Sequence, residues 1–157
     1  MVSALYSVVD RIYISRIPNI GADALAGLGV CFPLIMFNTA ICILIASGSS
    51  ALSTIKMGEG NNKDASKLLN GSFTLLIATG IVLMAVMYLF LSPMLMFFGG
   101  SNNTLPYAVE YMEIYLLGTV VGQISLGMNY FINSQGYARV GMISVLCGAI
   151  ANIVLDP

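Results

Sequence analysis

Three polar side chains stand inside sequence that is otherwise lipid-soluble: Asp10 in Ser7-Val8-Val9-Asp10-Arg11-Ile12-Tyr13-Ile14-Ser15, and Asn152 and Asp156 in Asn152-Ile153-Val154-Leu155-Asp156-Pro157. Carboxylate and amide oxygens coordinate a hard monovalent cation or share a proton, and an ionisable residue at membrane depth marks an ion or proton path by default. A bare Asp at the centre of a spanning helix costs roughly 2.5–3.5 kcal/mol on insertion scales, so Asp10 requires a partner, water, a cation or a proton. Arg11 follows it directly and points about 100° away around a helix, which makes it a poor direct partner. Ser3, Ser7 and Asp10, with Tyr6, share one helical face, and Ser144, Gly148, Asn152 and Asp156 recur every four residues as a second polar stripe.

The elements that carry these residues must be membrane helices. The chain is 58% hydrophobic and 8% charged, against about 25% charged in an ordinary soluble domain, and its mean hydropathy is +0.91. Six Lys and Arg against seven Asp and Glu leave a net charge of −1, without the basic field that nucleic acid requires. His is absent, and Cys31, Cys42 and Cys147 stand singly in apolar runs. That excludes zinc spacing and a disulfide framework and reads as small buried hydrophobes. No cleavable signal peptide is expected from the opening residues.

Periodicity and breakers predict an all-α integral membrane protein of about five spans, at approximately 1–17, 23–56, 64–92, 105–134 and 138–157. The first gives about 25 Å of helix against a core near 30 Å, so it is expected to lack its opening turns. Asp23 is expected to cap the second span, and Pro33 to kink it. Ala46-Ser47-Gly48-Ser49-Ser50-Ala51 offers a close-packing surface. Gly58-Glu59-Gly60-Asn61-Asn62 makes a turn without a phosphate-loop signature, and Ser92 to Pro106 reads as a connection with Gly99-Gly100 at its tip. Met84, Met87, Met94 and Met96 are expected to pack or face lipid rather than line a drug pocket. In the fourth span Tyr107, Tyr111 and Tyr115 resemble an interfacial belt. Gly118 and Gly122 form a GxxxG contact face, and Gln123, Asn129 and Asn133 should point into the bundle or a wet cavity.

Lys56, Lys63, Lys67 and Arg139 lie in the second-to-third and fourth-to-fifth connections, whereas 92–107 has no Lys or Arg. The positive-inside rule assigns the basic connections to the cytoplasm. Asp10, six residues before Arg16, then lies on the order of 10 Å below the outer boundary. Asn152 and Asp156 rise about 18 and 24 Å above Val140 through a core near 30 Å. All three fall in the outer half of the membrane, which favours a cation or proton site over a packing ion pair.

With Val9-Asp10-Arg11-Ile12-Tyr13-Ile14, Asp23-Ala24-Leu25-Ala26-Gly27-Leu28-Gly29-Val30 and Phe32-Pro33, Gly58-Glu59-Gly60, Asn129 with Gln135-Gly136, and Asn152 to Pro157 in this order, the sequence resembles the multidrug and toxic compound extrusion family, the MATE transporters. The resemblance implies a twelve-helix antiporter of two six-helix lobes that exports amphipathic, often cationic compounds as Na⁺ or H⁺ enters. It implies no enzyme activity and no cofactor. This chain would supply most of five helices of the amino-terminal lobe, in the cell membrane, with small drug-like substrates, the lipid bilayer and the remaining helices or lobe as partners. Asp10, Asn152 and Asp156 match the family's amino-terminal cation or proton residues, and Asn133 stands where members often carry Arg. The sequence is expected to continue beyond Pro157. On these grounds a lipid-linked-precursor flippase of the same superfamily, an intramembrane aspartyl protease using Asp10 and Asp156, and a non-transporting fragment rank below the antiporter. The flippase should carry basic cavity residues, and the protease lacks its Gly-x-Gly-Asp context.

Overall fold

The computed structural model describes residues 21–155, with side chains described for 22–150. The first expected span, with Asp10, lies outside the described residues. Five helices are present among the described residues: α1 Gly21–Gly58, α2 Asn62–Leu89, α3 Leu91–Phe97, α4 Leu105–Ser134 and α5 Ala138–Leu155. α1 and α2 are long and apolar enough to cross a membrane by length and composition. At 38 residues, α1 is about 57 Å long, nearly twice the hydrocarbon thickness, so it must tilt or project beyond the membrane. Leu44, Ile114, Leu117 and Val121 are large, apolar and exposed, as lipid-facing positions should be.

Breaker chemistry sets the boundaries. α1 and α4 both end in a Schellman closure, where Gly60 and Gly136 adopt φ of 75° and 86°. Gly60 N donates to Met57 O at 3.0 Å and Asn61 N to Lys56 O at 2.9 Å, while Gly136 N donates to Asn133 O at 3.0 Å and Tyr137 N to Ile132 O at 3.1 Å. A side chain at either glycine would strain this left-handed position. Asn61 caps α2, accepting from Asp64 N at 3.2 Å and donating its own amide to Asp64 Oδ2 at 2.7 Å.

Three expectations about helix ends are corrected by the fold. Asp23 sits inside the first described turn of α1, where its charge favours the positive helix end but does not cap it. The third span closes at Leu89 rather than 92, because Pro93 can neither donate to the Leu89 carbonyl nor pass it without a clash. What read as a connection after it contains α3, in which Pro93 occupies the first turn, where a missing N–H costs nothing. Pro33, by contrast, is absorbed within α1, which continues past it.

α1, α2 and α4 pack pairwise as a three-helix bundle, with α3 against α4 and α5 against α4. The buried positions of α4 are Ala108, Met112, Leu116, Thr119, Gln123, Gly127 and Phe131, three or four residues apart as one helical stripe requires. A matching stripe on α1 runs through Cys31, Leu34, Asn38, Cys42, Ala46, Ser50 and Ser53. One apolar cluster joins Cys31, Leu34, Met87, Leu91, Leu95, Ala108, Met112 and Leu116, with Met84 and Met94 packed against it. The methionines at 84, 87 and 94 are therefore packing residues, and Met96 is exposed.

Close approach is made by glycines other than those of the GxxxG pair. A Cβ at Gly27 would lie 3.1 Å from Thr104 O, one at Gly80 would lie 3.1 Å from Gln123 Oε1, and one at Gly127 would collide with Leu76 Cδ1. Gly118 and Gly122 have nothing within 4 Å. Glycine spacing alone marks a possible contact face, while the helix azimuth fixed by the apolar stripe decides which glycines use it.

Candidate functional site

At the middle of the bundle Gln123 of α4 donates its Nε2 to Asn38 Oδ1 of α1 at 2.7 Å. Both side chains are buried, at 3% and 4% exposure. Such a bond is favoured in a low-dielectric interior because the alternative is an unpaired amide in hydrocarbon. Gln123 Oε1 accepts no hydrogen bond from any described residue. It is turned toward Gly80 of α2, whose missing side chain makes room for it. One turn along α1, Cys42 Sγ lies 3.4 Å from Gln123 O, its donor role carrying a weak second tie between the same helices.

Beside this pair a cleft of about 330 Å³ opens between α1 and α4, lined by Asn38, Thr39, Cys42, Tyr115, Thr119 and Gln123 with Gly118 and Gly122 forming an open wall. The correction to the GxxxG expectation thus has a structural sense, since these glycines widen the cleft instead of closing it. Thr39 Oγ1 donates to Ile35 O at 2.8 Å and Thr119 Oγ1 to Tyr115 O at 3.3 Å. Their hydroxyl protons are committed to backbone, so each oxygen keeps lone pairs as acceptors. No charged residue lines the cleft among the described residues. It is suited to an apolar body or a donor-bearing cationic group, and poorly suited to a phosphate.

A second polar tie joins α4 to α5. Asn133 Nδ2 donates to Asn129 Oδ1 at 2.7 Å, and Asn129 Nδ2 donates to Gly141 O at 3.1 Å. A Cβ at Gly141 would lie 2.6 Å from Asn133 Oδ1, so glycine lets the start of α5 reach the amides. Among the residues of α5 whose side chains are described, Gly141 and Ala149 are buried, whereas Ser144 and Gly148, the first members of the expected polar stripe, are exposed. Cys147 is exposed too, unlike the buried Cys31 and Cys42, so one of the three cysteines departs from the buried-hydrophobe expectation. Asn152 belongs to the backbone span of α5, but its side chain, like Asp10 and Asp156, lies outside the described residues.

At the polar turn, beyond the apolar runs, Lys67 Nζ pairs with Asp64 Oδ1 at 2.9 Å and Lys56 Nζ with Glu59 Oε2 at 2.7 Å. The Lys67 hydrogen bond, then that of Asn61, holds the Asp64 carboxyl below its ordinary value. On α4 the Tyr111 and Tyr115 rings stack with centroids 6.3 Å apart.

Sequence reasoning expected Gln123, Asn129 and Asn133 to point into the bundle or a wet cavity; Gln123 is buried and Asn129 half-buried, whereas Asn133 is exposed and, among the described residues, bonds only Asn129 one turn away on its own helix. The same reasoning missed Asn38, although the rule that an amide inside an apolar span needs a partner applies there as well. The signal was present in Phe37-Asn38-Thr39, two polar residues within the apolar run of α1.

The MatE family model matches residues 1–157. The chain is similar to the FAD transporter of Shewanella oneidensis, 26% identical over 152 residues, covering 97% of this chain and 33% of that protein. It is also similar to the probable multidrug resistance protein NorM of Pseudomonas syringae pv. tomato, 28% identical, covering 88% of this chain and 30% of that protein. A crystal structure of MATE in complex with MaD3S superposes with a TM-score of 0.90 at 25% identity, covering 99% of this chain and 34% of that one. The chain therefore spans about a third of the length of the relatives it matches.

Proposed function

The chain belongs to the MatE family, and from that premise we propose that it forms the amino-terminal lobe region of a cation-coupled efflux antiporter, exporting amphipathic, often cationic compounds across the cell membrane as Na⁺ or H⁺ enters. The observation that carries the efflux reading is the family match over the whole chain, joined by relatives named as probable multidrug resistance proteins in Pseudomonas syringae pv. tomato and Bacillus subtilis. Asp10, Asn152 and Asp156 are the proposed coupling residues, supported by their common depth in the outer half of the membrane. Binding an inward-moving cation or proton there neutralises carboxylates that are costly at that depth, and so favours a different packing of the helices that carry them. A second lobe, outside these 157 residues, is needed for one bundle to rock against another.

The cargo class is supported by the cleft beside Asn38 and Gln123, where the described lining is neutral and rich in acceptors. A second cargo, FAD, has the support of the Shewanella oneidensis relative. Its pyrophosphate would need cationic donors that the described cleft lining does not supply. In a full-length transporter carrying this region, Asp10→Asn and Asp156→Asn should each abolish cation-driven efflux of a cationic dye while leaving expression intact. Unchanged dye efflux in both variants would overturn the coupling assignment, and gradient-driven export of FAD without dye export would replace the cargo.

A further inference from the structure

The turn between α1 and α2 gathers charge that the transport reading does not use. A groove of about 490 Å³ runs between the two helices there, lined by Ser49, Lys56, Asp64, Lys67, Leu68, Gly71, Ser72 and Leu75. We propose that this groove holds an anionic phospholipid of the cytoplasmic leaflet, its phosphate between Lys56 and Lys67 and one acyl chain along Leu68, Gly71 and Leu75.

Three features converge on that occupant. The first is polarity along the groove: Lys67 to Leu75 spans about 12 Å of helix, running from ammonium groups at the turn to an apolar wall at hydrocarbon depth. A lipid has this order of groups along its length, and a free phosphate does not. The second is charge. Lys56 and Lys67 against Asp64 leave one positive charge on the groove lining, which a single phosphodiester neutralises. The carboxylates do not close the site: Glu59 and Asp64 are each held by a local i,i+3 lysine pair, Asp64 also accepts the Asn61 amide, and an ammonium has three donors, so it can keep its carboxylate and still bond a phosphate. Such exposed pairs are weak enough to rearrange. The third is space. Gly71 has nothing within 4 Å of where a Cβ would stand, so the wall is open where the chain must lie. The lysine bias that orients the protein puts this turn in the cytoplasm, where anionic lipids are enriched and polybasic segments near a helix end attract them. The inference depends on this orientation and on the bilayer, not on the cargo or the coupling ion.

The test uses the full chain in a neutral detergent, titrated with phosphatidylglycerol or with phosphatidylcholine of the same acyl composition, following thermal unfolding by circular dichroism. Phosphatidylglycerol should raise the unfolding temperature at lower concentration than phosphatidylcholine. Each of Lys56→Gln and Lys67→Gln should raise its half-saturating concentration about fivefold, and the double variant about thirtyfold. Lys63→Gln, outside the groove, should leave the preference in place. Gly71→Leu keeps every charge and fills the acyl path, so it should weaken both lipids. Equal effects of the two lipids on the unsubstituted chain, or a preference that survives the double variant, would overturn the proposal. Stabilisation by soluble glycerol 3-phosphate matching that by phosphatidylglycerol would overturn it in favour of a headgroup-only site.

Discussion

Replacing Asn38 by Leu should destabilise the chain more than replacing Gln123 by Leu, although the two residues share one hydrogen bond. Asn38→Leu strands the Gln123 amide in the seam between α1, α2 and α4, where Nε2 loses its 2.7 Å bond and Oε1 already lacks a described partner. An unsatisfied buried group costs about 1–3 kcal/mol, so about 2 kcal/mol is expected. Gln123→Leu removes the stranded acceptor together with the donor, and leaves only Asn38 Oδ1 without its partner; about 1 kcal/mol is expected. The double variant removes both amides and should cost about 1.5 kcal/mol, below the sum of the singles. The resulting coupling of about 1.5 kcal/mol lies near the upper end for hydrogen bonds between membrane helices, which average about 0.6 and reach about 1.7. The chain has no Trp, so unfolding in mixed micelles is best followed by far-ultraviolet circular dichroism across a range of SDS mole fraction. Additivity within about 0.3 kcal/mol, or a greater cost for Gln123→Leu than for Asn38→Leu, would refute the reasoning.

The glycines separate by environment: Gly118→Ala and Gly122→Ala should be neutral or stabilising by up to about 1 kcal/mol in the same assay, because nothing stands within 4 Å of either position. Gly27→Ala, which meets the backbone of Thr104 and Ala108, should cost about 1–3 kcal/mol, and the reverse order would return the GxxxG pair to the helix interface. In a cysteine-free background, needed because Cys147 is exposed, a cysteine at Asn61 should resist a membrane-impermeant thiol reagent added outside intact cells, and one at Asn102 should react. The opposite pattern would invert the topology and remove the depth argument for Asp10, Asn152 and Asp156.

The fold class was legible because composition and breakers act over long windows. The fourth expected span, 105–134, has the bounds of α4, with Pro106 in its first turn and Gly136 just past its end. The seven residues of α3 were not legible. Two turns of helix show no clear period, and Ser92-Pro93 before them and Gly99-Gly100 after them gave a loop signature. The Asn38 to Gln123 bond spans 85 positions, a pairing that no local pattern specifies. What the sequence offered was the weaker statement that each amide needed a partner, and it was applied to α4 but not to α1.

The distribution of polar groups has a consequence for the proposed mechanism. Within the described bundle the ties between helices are neutral: Gln123 to Asn38, Asn129 to Gly141, and the thiols of Cys31 and Cys42 on backbone carbonyls of α4. None of these ties holds a charged partner, so the proposed coupling ion has no direct electrostatic hold on them. The ion pairs of the described residues lie at the turn between α1 and α2, where water screens them. The proposed coupling acids belong to other parts of the chain, Asp10 to residues 1–17 and Asp156 to the position following α5. A cycle driven by neutralising those carboxylates would therefore act through residues other than the neutral ties between α1 and α4. That division fits a rocking transporter, because the moving parts need a fixed body whose packing the coupling ion does not alter.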